Sequence, residues 1–471
     1  MNKNRFKIES FNLFLMAYLC TLFKIELMNS YKSIISLAIP IIIGQIGTII
    51  TGVADTVMVG QHGTQELAAS AFVNNVFNLF MIFGVGFTFN FAPLVGRCLA
   101  QDDKLGIGSW LRNSLVINTI LGFLLALCLA LIFINIEKMG QPEELLPLIK
   151  PYFFIYGLSI IPILVYTTFR QFVEAVLQPA TSMWIFLIGN ILNIIGNYIL
   201  IYGKFGFPEL GLLGAGLSTL VSRCLMVVFF VVVIAKSSKY KEYRLGFFES
   251  RVSKEKLRNL FLLGMPIGLQ QGFEVAAFSA TAIMVGWLGF MELAAHQVAI
   301  TVSAVCYMLY LGLGNAVAIR VSYHRGMNDA ESIKKTTYAG VVLSLILSCF
   351  VSFILFIGTE QITLFFTEEV AVVEMVVLLL PILMAYVFFD GTQIVLCNSL
   401  RGLSDVKAIM YVSAVAYFVV AIPAGYLFGF VADFGISGLW LSYPCGFIFA
   451  AVIFMLRFRY IRRNMLVRVS N

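Results

Sequence analysis

Apolar runs of about 20 residues or more recur along the whole chain, and each is long enough to cross the ~30 Å hydrocarbon core of a bilayer. In lipid every backbone polar group must be satisfied inside the protein, which leaves helices or a closed barrel. Barrel strands would read as alternating segments of ~10 residues, whereas these runs are longer and uniformly apolar. Hydrophobic residues make up 60% of the 471 residues. The sequence therefore predicts an all-α polytopic membrane protein and excludes an ordinary soluble enzyme.

The spacing of these runs predicts twelve membrane-spanning helices. The expected spans are 33–59, 70–97, 110–135, 148–176, 180–203, 211–236, 258–287, 292–320, 333–357, 372–402, 406–430 and 433–458. Nearly all of the 32 lysines and arginines lie in the N-terminus, in alternate loops or in the C-terminus. The exceptions are Lys138, Lys150 and Lys204 on the other side, and Arg223 within a span. This asymmetry follows the positive-inside rule and predicts that both termini are cytoplasmic.

The chain carries an internal repeat. "PIIIGQIGTIITGVADTVMVGQHGTQELAA" (40–69) aligns without gaps with "PIGLQQGFEVAAFSATAIMVGWLGFMELAA" (266–295). The shared residues include Pro40 and Pro266, a Met-Val-Gly triplet and a Glu-Leu-Ala-Ala run. Chance similarity between apolar helices would match Leu and Val, not Pro, Gly and Glu in register. We therefore predict two homologous six-helix lobes.

Because each half has an even number of spans, the two repeats share one orientation and are related by a pseudo-two-fold axis along the membrane normal. Two such bundles around a cleft have the geometry of an alternating-access transporter. The expected organisation is an interfacial N-terminal extension (1–32, with Met28 as an alternative start), an N-lobe (33–236), a basic cytoplasmic linker facing the lipid surface (237–257), a C-lobe (258–458) and a basic cytoplasmic tail (459–471).

Asp55 is an acidic residue within the first span, where a carboxylate costs ~2.5–3.5 kcal/mol on insertion scales. In the fifth span, Asn193 and Asn197 stand at i and i+4 on one helix face, and Thr219 of the sixth span adds a hydroxyl. A carboxylate surrounded by amides predicts a proton or cation site. The alternative is a polar clamp between helices, since Asn often bridges spans.

Glu274 and Asp390 lie in the middle of the seventh and tenth spans. In the repeat, Glu274 aligns with Thr48 and Asp55 aligns with Thr281, so neither acid has a counterpart in the other lobe. A shared structural acid would be kept in both lobes, so we predict distinct coupling sites. Two carboxylates in a medium of low dielectric constant either share a proton or attract a cation. If sodium is the coupling ion, Glu274 and Asp390 are its expected ligands.

The other charged residues within the spans are interpreted as structural. We expect intrahelical ion pairs between Arg170 and Glu174, and between Arg401 and Asp405. An ion pair from Arg223 to the C-lobe acids is the structural alternative for those acids. We also expect a hydrogen-bonded structural role for His296.

Several segments resemble the multidrug and toxic compound extrusion (MATE) family, in its NorM-like branch. The matching motifs are "AIPIIIGQIGTIITGVADTVMVG", "GNILNIIGNYILIYG", "GMPIGLQQGFEVAAF", "ELAAHQVA" and "FFDGTQIVLCNSLRGLSD". The resemblance covers about residues 30–460. It implies a V-shaped, twelve-helix efflux pump in the bacterial inner membrane that exchanges organic cations for sodium ions or protons.

The sequence favours a secondary transporter over other membrane proteins. It contains no GxxxxGK[ST] loop and no HExxH, so transport must be driven by an ion gradient and catalysis is not expected. We expect no cofactor beyond Na⁺ or H⁺, a monomer, small organic cations and membrane lipid as partners, and no binding of nucleic acid. The alternatives are a lipid-linked oligosaccharide flippase of related fold, a membrane-embedded enzyme or a channel. A flippase would be expected to line its cleft with basic residues rather than acids.

Overall fold

A computed structural model describes residues 2–366 and 369–470 of the chain, with the surroundings of side chains described for 28–364, 366 and 369–466. The predicted extension (1–32) and tail (459–471) therefore lie partly outside the described residues. The α-helices are α1 (Asn2–His62), α2 (Thr64–Thr88), α3 (Ala92–Ala100), α4 (Lys104–Ile134), α5 (Leu146–Leu158), α6 (Ile160–Ala175), α7 (Pro179–Ile201), α8 (Leu212–Lys236), α9 (Lys241–Glu249), α10 (Lys254–Leu288), α11 (Phe290–Gly326), α12 (Ala330–Phe366), α13 (Val370–Gly402), α14 (Val406–Ala414), α15 (Ile422–Tyr426) and α16 (Gly435–Ser470).

Twelve helical segments in the described part of the chain are long and apolar enough to cross a membrane, which confirms the predicted number and order. They are Met28–His62, Thr64–Ala100, Lys104–Ile134, Glu143–Ala175, Pro179–Ile201, Gly211–Lys236, Lys254–Leu288, Phe290–Gly326, Ala330–Leu364, Val370–Gly402, Val406–Val431 and Gly435–Leu466. Most exceed the predicted bounds, because their polar ends remain helical outside the apolar run.

Three spans are not continuous α-helices. The second breaks between α2 and α3, just before Pro93, because proline lacks the N–H that would continue the helical hydrogen bonds. The fourth changes from α5 to α6 at Ser159, whose Oγ donates to the carbonyl of Tyr156 at 2.5 Å. The eleventh contains two π-helical stretches, Val415–Ala421 and Leu427–Val431, on either side of α15. Such π segments often mark functional positions in helices.

The hydrophobic cores divide between two lobes. One cluster lies wholly in the N-lobe and includes Val59 and Phe153, and another lies wholly in the C-lobe and includes Val285 and Trp440. A third cluster contains residues of both lobes and lies towards the end of the bundle where α1 enters its span. The lobes therefore share a core at that end and have separate cores at the other.

Direct contacts join the lobes where they share a core. Asn90 donates through Nδ2 to the carbonyl of Leu260 at 3.1 Å, and Ser322 donates through Oγ to the carbonyl of Pro93 at 3.0 Å. A Cβ on Gly86 would lie 2.9 Å from Cγ of Gln271, so only glycine allows this approach of α2 and α10. These contacts join the two lobes directly at this end.

The linker between the lobes is ordered against the N-lobe. Its helix α9 lies on α4, where Arg112 donates through Nη1 to the carbonyl of Phe247 at 3.3 Å. Further along, the backbone N–H of Ser253 donates to Oδ1 of Asn113 at 2.8 Å. The side chain of Phe248 in α9 is exposed. The position of the linker at the lipid surface stays a prediction.

Candidate functional site

A polar cavity of about 300 Å³ lies within the N-lobe. Helices α1, α2, α5, α6, α7 and α8 contribute its walls, and its polar lining includes Asp55, Asn74, Asn78, Asn193, Thr219 and Arg223. Asp55, Asn193 and Thr219 were predicted as site residues, and the structure brings all three to one cavity. Aromatic rings from Tyr152, Tyr156, Tyr166 and Phe186 line it as well.

Asp55 is held in this cavity by one of the two predicted amides. Asn197, which is fully buried, donates from Nδ2 to Oδ1 of Asp55. Asn193 instead donates to Oγ1 of Thr219 at 3.3 Å, and its carbonyl accepts from Ser218 Oγ at 2.8 Å. Of the two predicted amides, only Asn197 contacts Asp55 directly, and Asn193 forms a separate pair with Thr219.

Arg223 is the cation of the N-lobe site. Its guanidinium donates to Ser159 Oγ and, at 3.4 Å, to the hydroxyl of Tyr156. It also lies 5.3 Å from the centre of the Phe77 ring, and its positive charge attracts the carboxylate of Asp55 electrostatically. The alternative of an ion pair between Arg223 and the C-lobe acids is wrong, because these contacts hold the guanidinium in the N-lobe.

The C-lobe contains a second acidic site made by Glu274 of α10 and Asp390 of α13. Both residues are buried, and Asp390 is fully so. Gln270 donates from Nε2 to Oε2 of Glu274 at 3.1 Å. Neither carboxylate oxygen of Asp390 accepts a hydrogen bond from a described residue, and the charged group that acts on it is Glu274. Two buried oxygens without a donor suit a proton or a small cation.

Arg401 belongs beside this acidic site and does not form the predicted ion pair with Asp405. Its Nη1 donates to Oδ1 of Asn398 at 3.0 Å, and its guanidinium lies 4.9 Å from the centre of the Phe89 ring of the N-lobe. Asp405 binds Arg457 instead. The charge of Arg401 acts on Glu274. Arg170 is the equivalent of Arg401 in the repeat, where "FRQFVEA" (169–175) echoes "LRGLSDV" (400–406). It does form the predicted pair, since Arg170 Nε lies 2.7 Å from Glu174 Oε1.

Aromatic residues surround the C-lobe acids. Tyr307 exchanges hydrogen bonds with the side chain of Gln271, at 3.2 Å from its Nε2. Tyr417, in the first π-helical stretch, has a buried hydroxyl without a partner in the described residues. The ring of His296 lies 5.5 Å from that of Trp440. Nδ1 of His296 is buried without a partner among the described residues, so the expected hydrogen-bonded role is wrong for that atom.

The repeat positions that align with Glu274 and Asp55 carry threonines whose hydroxyls form hydrogen bonds within their own helices. Thr48, opposite Glu274, donates to the carbonyl of Gly44 in its own helix at 3.3 Å. Thr281, opposite Asp55, donates to the carbonyl of Ala277 in its own helix at 3.1 Å. Each lobe therefore places its acid where the other lobe has a satisfied hydroxyl.

The N-lobe and C-lobe sites are rich in oxygen atoms, but their described residues do not form a dense metal centre. Among the residues that the structure describes, no three His, Cys, Asp or Glu side chains group together as metal ligands do. A cation at Glu274 and Asp390 would need neutral oxygens to complete its coordination.

Comparisons with known proteins agree with this geometry. The family model described as MatE matches residues 40–199 and 266–427. The multidrug resistance protein NorM of Photobacterium profundum is 30% identical over 92% of this chain and 95% of its own length. The multidrug resistance protein MdtK of Pectobacterium atrosepticum is 29% identical over 94% of this chain and 98% of its own length.

Solved structures share the fold. A eukaryotic MATE transporter, AtDTX14, superposes with a TM-score of 0.83 at 20% identity, over 94% of this chain and 100% of its own. A structure described as the outward-facing conformation of a multidrug resistance MATE family transporter superposes with a TM-score of 0.84 at 19% identity, over 93% and 96%. At these identities the superpositions show the fold alone.

Proposed function

Because the chain belongs to the MatE family, we propose that it is a secondary active efflux antiporter that exports organic cations in exchange for Na⁺ or H⁺. It is an all-helical multi-pass protein of two six-helix lobes, and its relatives carry the names of multidrug resistance proteins. The observation that carries the proposal is the arrangement of acids. Asp55 lies in one lobe, and Glu274 and Asp390 lie in the other, each within a membrane-spanning helix.

Antiport follows when the coupling ion and the exported cation compete for carboxylates. A proton at Asp55, or a proton or sodium ion at Glu274 and Asp390, neutralises the negative charge that a cationic substrate would need, so the coupling ion and the substrate cannot be held at the same carboxylate together. A monovalent coupling ion that moves down a membrane potential supplies ~2.3 kcal/mol per 100 mV. Alternating access of a cleft between the lobes then converts competition into exchange.

The N-lobe cavity supports the proposed substrate class. Its rings include Tyr152 and Tyr156, stacked with centroids 5.2 Å apart, and Asp55 supplies a negative charge nearby. A flat organic cation gains ~0.5–2 kcal/mol from the face of each suitable aromatic ring. The combination favours hydrophobic cations over anions or sugars.

A lipid-linked oligosaccharide flippase is less well supported. Recognition of a pyrophosphate requires several free cationic groups in the cleft. In the N-lobe cavity the arginine is Arg223, whose guanidinium is held by Ser159 and Tyr156 and stacked on aromatic rings. The C-lobe acids would repel a pyrophosphate.

We further propose that the protein resides in the bacterial inner membrane as a monomer, with both ends in the cytoplasm and without a cofactor. The distribution of basic residues supports this orientation. A reporter enzyme inserted in the linker 237–257 should be active on the cytoplasmic side, and one inserted beside Gln141 on the external side. The opposite pattern would refute the proposed orientation.

The proposed function is tested in cells that lack their own efflux pumps. Cells that express the chain should survive higher concentrations of a fluorescent organic cation and accumulate less of it than cells with an empty vector. Asp55→Asn keeps the shape of the side chain but removes its charge, so it should lose this protection at normal membrane abundance. Equal accumulation in cells with and without the wild-type chain would contradict the proposal.

A further inference from the structure

A basic cavity of about 740 Å³ lies at the end of the molecule where the lobes share a core. It is bounded by the ends of α3 and α11 and by the last turns of α16. Three arginines line it: Arg97 from the N-lobe, and Arg325 and Arg457 from the C-lobe. The cavity is separate from both acidic sites and plays no part in the proposed exchange of cations.

The charges of this cavity are unbalanced. Asp405 is bound to Arg457, with Nε to Oδ2 at 2.6 Å and Nη2 to Oδ1 at 3.3 Å. Neither Arg97 nor Arg325 forms a hydrogen bond or an ion pair with a described residue, and Nη1 of Arg325 is buried without a partner there. The charge of Arg97 acts unfavourably on Arg325, and the charge of Asp405 offsets this only in part. An anion bound between Arg97 and Arg325 would relieve the remaining repulsion.

We propose that this cavity binds a phosphate group, and that its natural source is the headgroup of an acidic phospholipid. Guanidinium groups offer pairs of N–H donors that match two phosphate oxygens, and Arg325 has a buried donor unused. The volume falls in the range of roughly 300–1,000 Å³ typical of small-molecule sites.

The position of the cavity favours a lipid as the source of the phosphate. It lies at the predicted cytoplasmic end of the spans, where acidic lipids concentrate. Tyr460, Ile461 and Met465 of α16 supply an aromatic and apolar wall that suits a glycerol backbone and the start of an acyl chain. A soluble phosphate would use the arginines and leave this wall unused.

A bound phosphate would join the two lobes. A Cβ on Gly326 of α11 would lie 2.8 Å from Cα of Arg97, so the helix ends approach closely here. An anion held by Arg97 and Arg325 together therefore stabilises the conformation in which the lobes are closed at this end. Acidic lipid then favours the conformation whose cleft opens at the opposite end.

The test measures lipid binding by the purified full-length protein in a neutral detergent. The probes are dioctanoyl phosphatidylglycerol, dioctanoyl phosphatidylcholine and inorganic phosphate, each titrated at constant ionic strength while the thermal unfolding midpoint is recorded. We expect a saturable rise in the midpoint with phosphatidylglycerol and none with phosphatidylcholine. Arg97→Gln and Arg325→Gln should each raise the half-saturating concentration about tenfold, because each removes a charge-assisted hydrogen bond.

Two controls separate binding at this cavity from general effects of charge or folding. Arg459→Gln removes the same charge from an exposed position on α16 outside the cavity lining, and should bind like the wild type. Arg97→Lys and Arg325→Lys keep the charge but lose the paired donors, so each should bind more tightly than the matching Gln variant and more weakly than the wild type. If Arg459→Gln weakens binding as much as Arg97→Gln and Arg325→Gln do, or if phosphatidylcholine acts like phosphatidylglycerol, the proposed site is refuted.

The same titration distinguishes the two sources of phosphate. A midpoint that rises with phosphatidylglycerol alone supports a lipid headgroup site. A midpoint that rises with inorganic phosphate as well, with competition between the two probes, supports the same arginine site with a soluble anion as its ligand. A midpoint that responds to neither probe overturns the proposal.

Discussion

Asp390 lies close enough to Glu274 in the C-lobe for the two carboxylates to repel each other electrostatically. Neither carboxylate oxygen of Asp390 accepts a hydrogen bond from a described residue. The charged form of the Asp390 carboxylate is not stabilised by its surroundings, because burial without a hydrogen-bond donor or a counter-charge is unfavourable. Glu274 differs in this respect, since Gln270 donates to it and the charge of Arg401 acts on it. The pair is therefore an unequal one, with Asp390 the less stabilised member.

The first prediction concerns the stability of Asp390→Asn. Asparagine keeps the shape and removes the buried charge, so the thermal unfolding midpoint in detergent should equal or exceed that of the wild type while export falls to background. The control is Glu374→Gln, which changes an exposed acid on the same helix and should leave both quantities unchanged. A marked fall of the midpoint in Asp390→Asn would instead make this residue structural.

The second prediction concerns Arg401→Gln. Without the guanidinium the two acids should hold a cation more tightly and release it more slowly. Two unit charges roughly 10 Å apart interact by ~1–2 kcal/mol at an effective dielectric constant of about 20, so the concentration of coupling ion that half-saturates transport should fall about tenfold, together with the maximal rate. Arg401→Lys should stay close to the wild type in both. A rise in the half-saturating concentration would contradict the assigned role.

The third prediction separates the two asparagines of α7. Asn197 donates to Asp55 directly, whereas Asn193 donates to Thr219. Asn197→Ala and Asp55→Ala should therefore be non-additive in unfolding free energy, because either change removes the same hydrogen bond. Asn193→Ala and Thr219→Val should be non-additive with each other by ~0.5–1.5 kcal/mol in unfolding free energy. Additive effects of Asn197→Ala and Asp55→Ala would show that these two side chains act independently.

Span number, repeat and acidic residues were predictable because each depends on local composition or on direct comparison of two segments. An apolar run long enough to span lipid must be helical wherever it packs. The same holds for Asp55, Glu274 and Asp390, whose cost in lipid is visible in any single span.

The partners of the arginines were not predictable. Arg170 and Arg401 are repeat equivalents, yet Arg170 pairs with Glu174 while Asp405 turns to Arg457 of α16. Spacing within one helix allows the i,i+4 pair in both lobes, and only the packing of α16 against the end of α13 decides between the two outcomes. Glu174 and Asp405 are equivalent acids of the repeat, yet they bind different arginines. This difference leaves Arg401 without the predicted ion pair, and it becomes visible only once the fold is known.

The break in the second span had a sequence signal that composition conceals. Pro93 lies within the predicted span 70–97, and its missing N–H ends α2 before it. Hydropathy averages over such a residue. The resulting non-helical turn places Phe89 beneath Arg401 and lets Asn90 bond across the lobes, which explains why the turn matters to the site.

Ion-coupled exchange at Asp55, Glu274 and Asp390 can be measured directly. The decisive measurement uses the purified protein in sealed proteoliposomes loaded with a fluorescent organic cation, with sodium and proton gradients imposed separately. We predict that the wild type moves the cation only when one of these gradients is present. Asp55→Asn, Glu274→Gln and Asp390→Asn, reconstituted in equal amounts, should each abolish that dependence. Gradient-driven movement at the wild-type rate in all three variants would contradict the account.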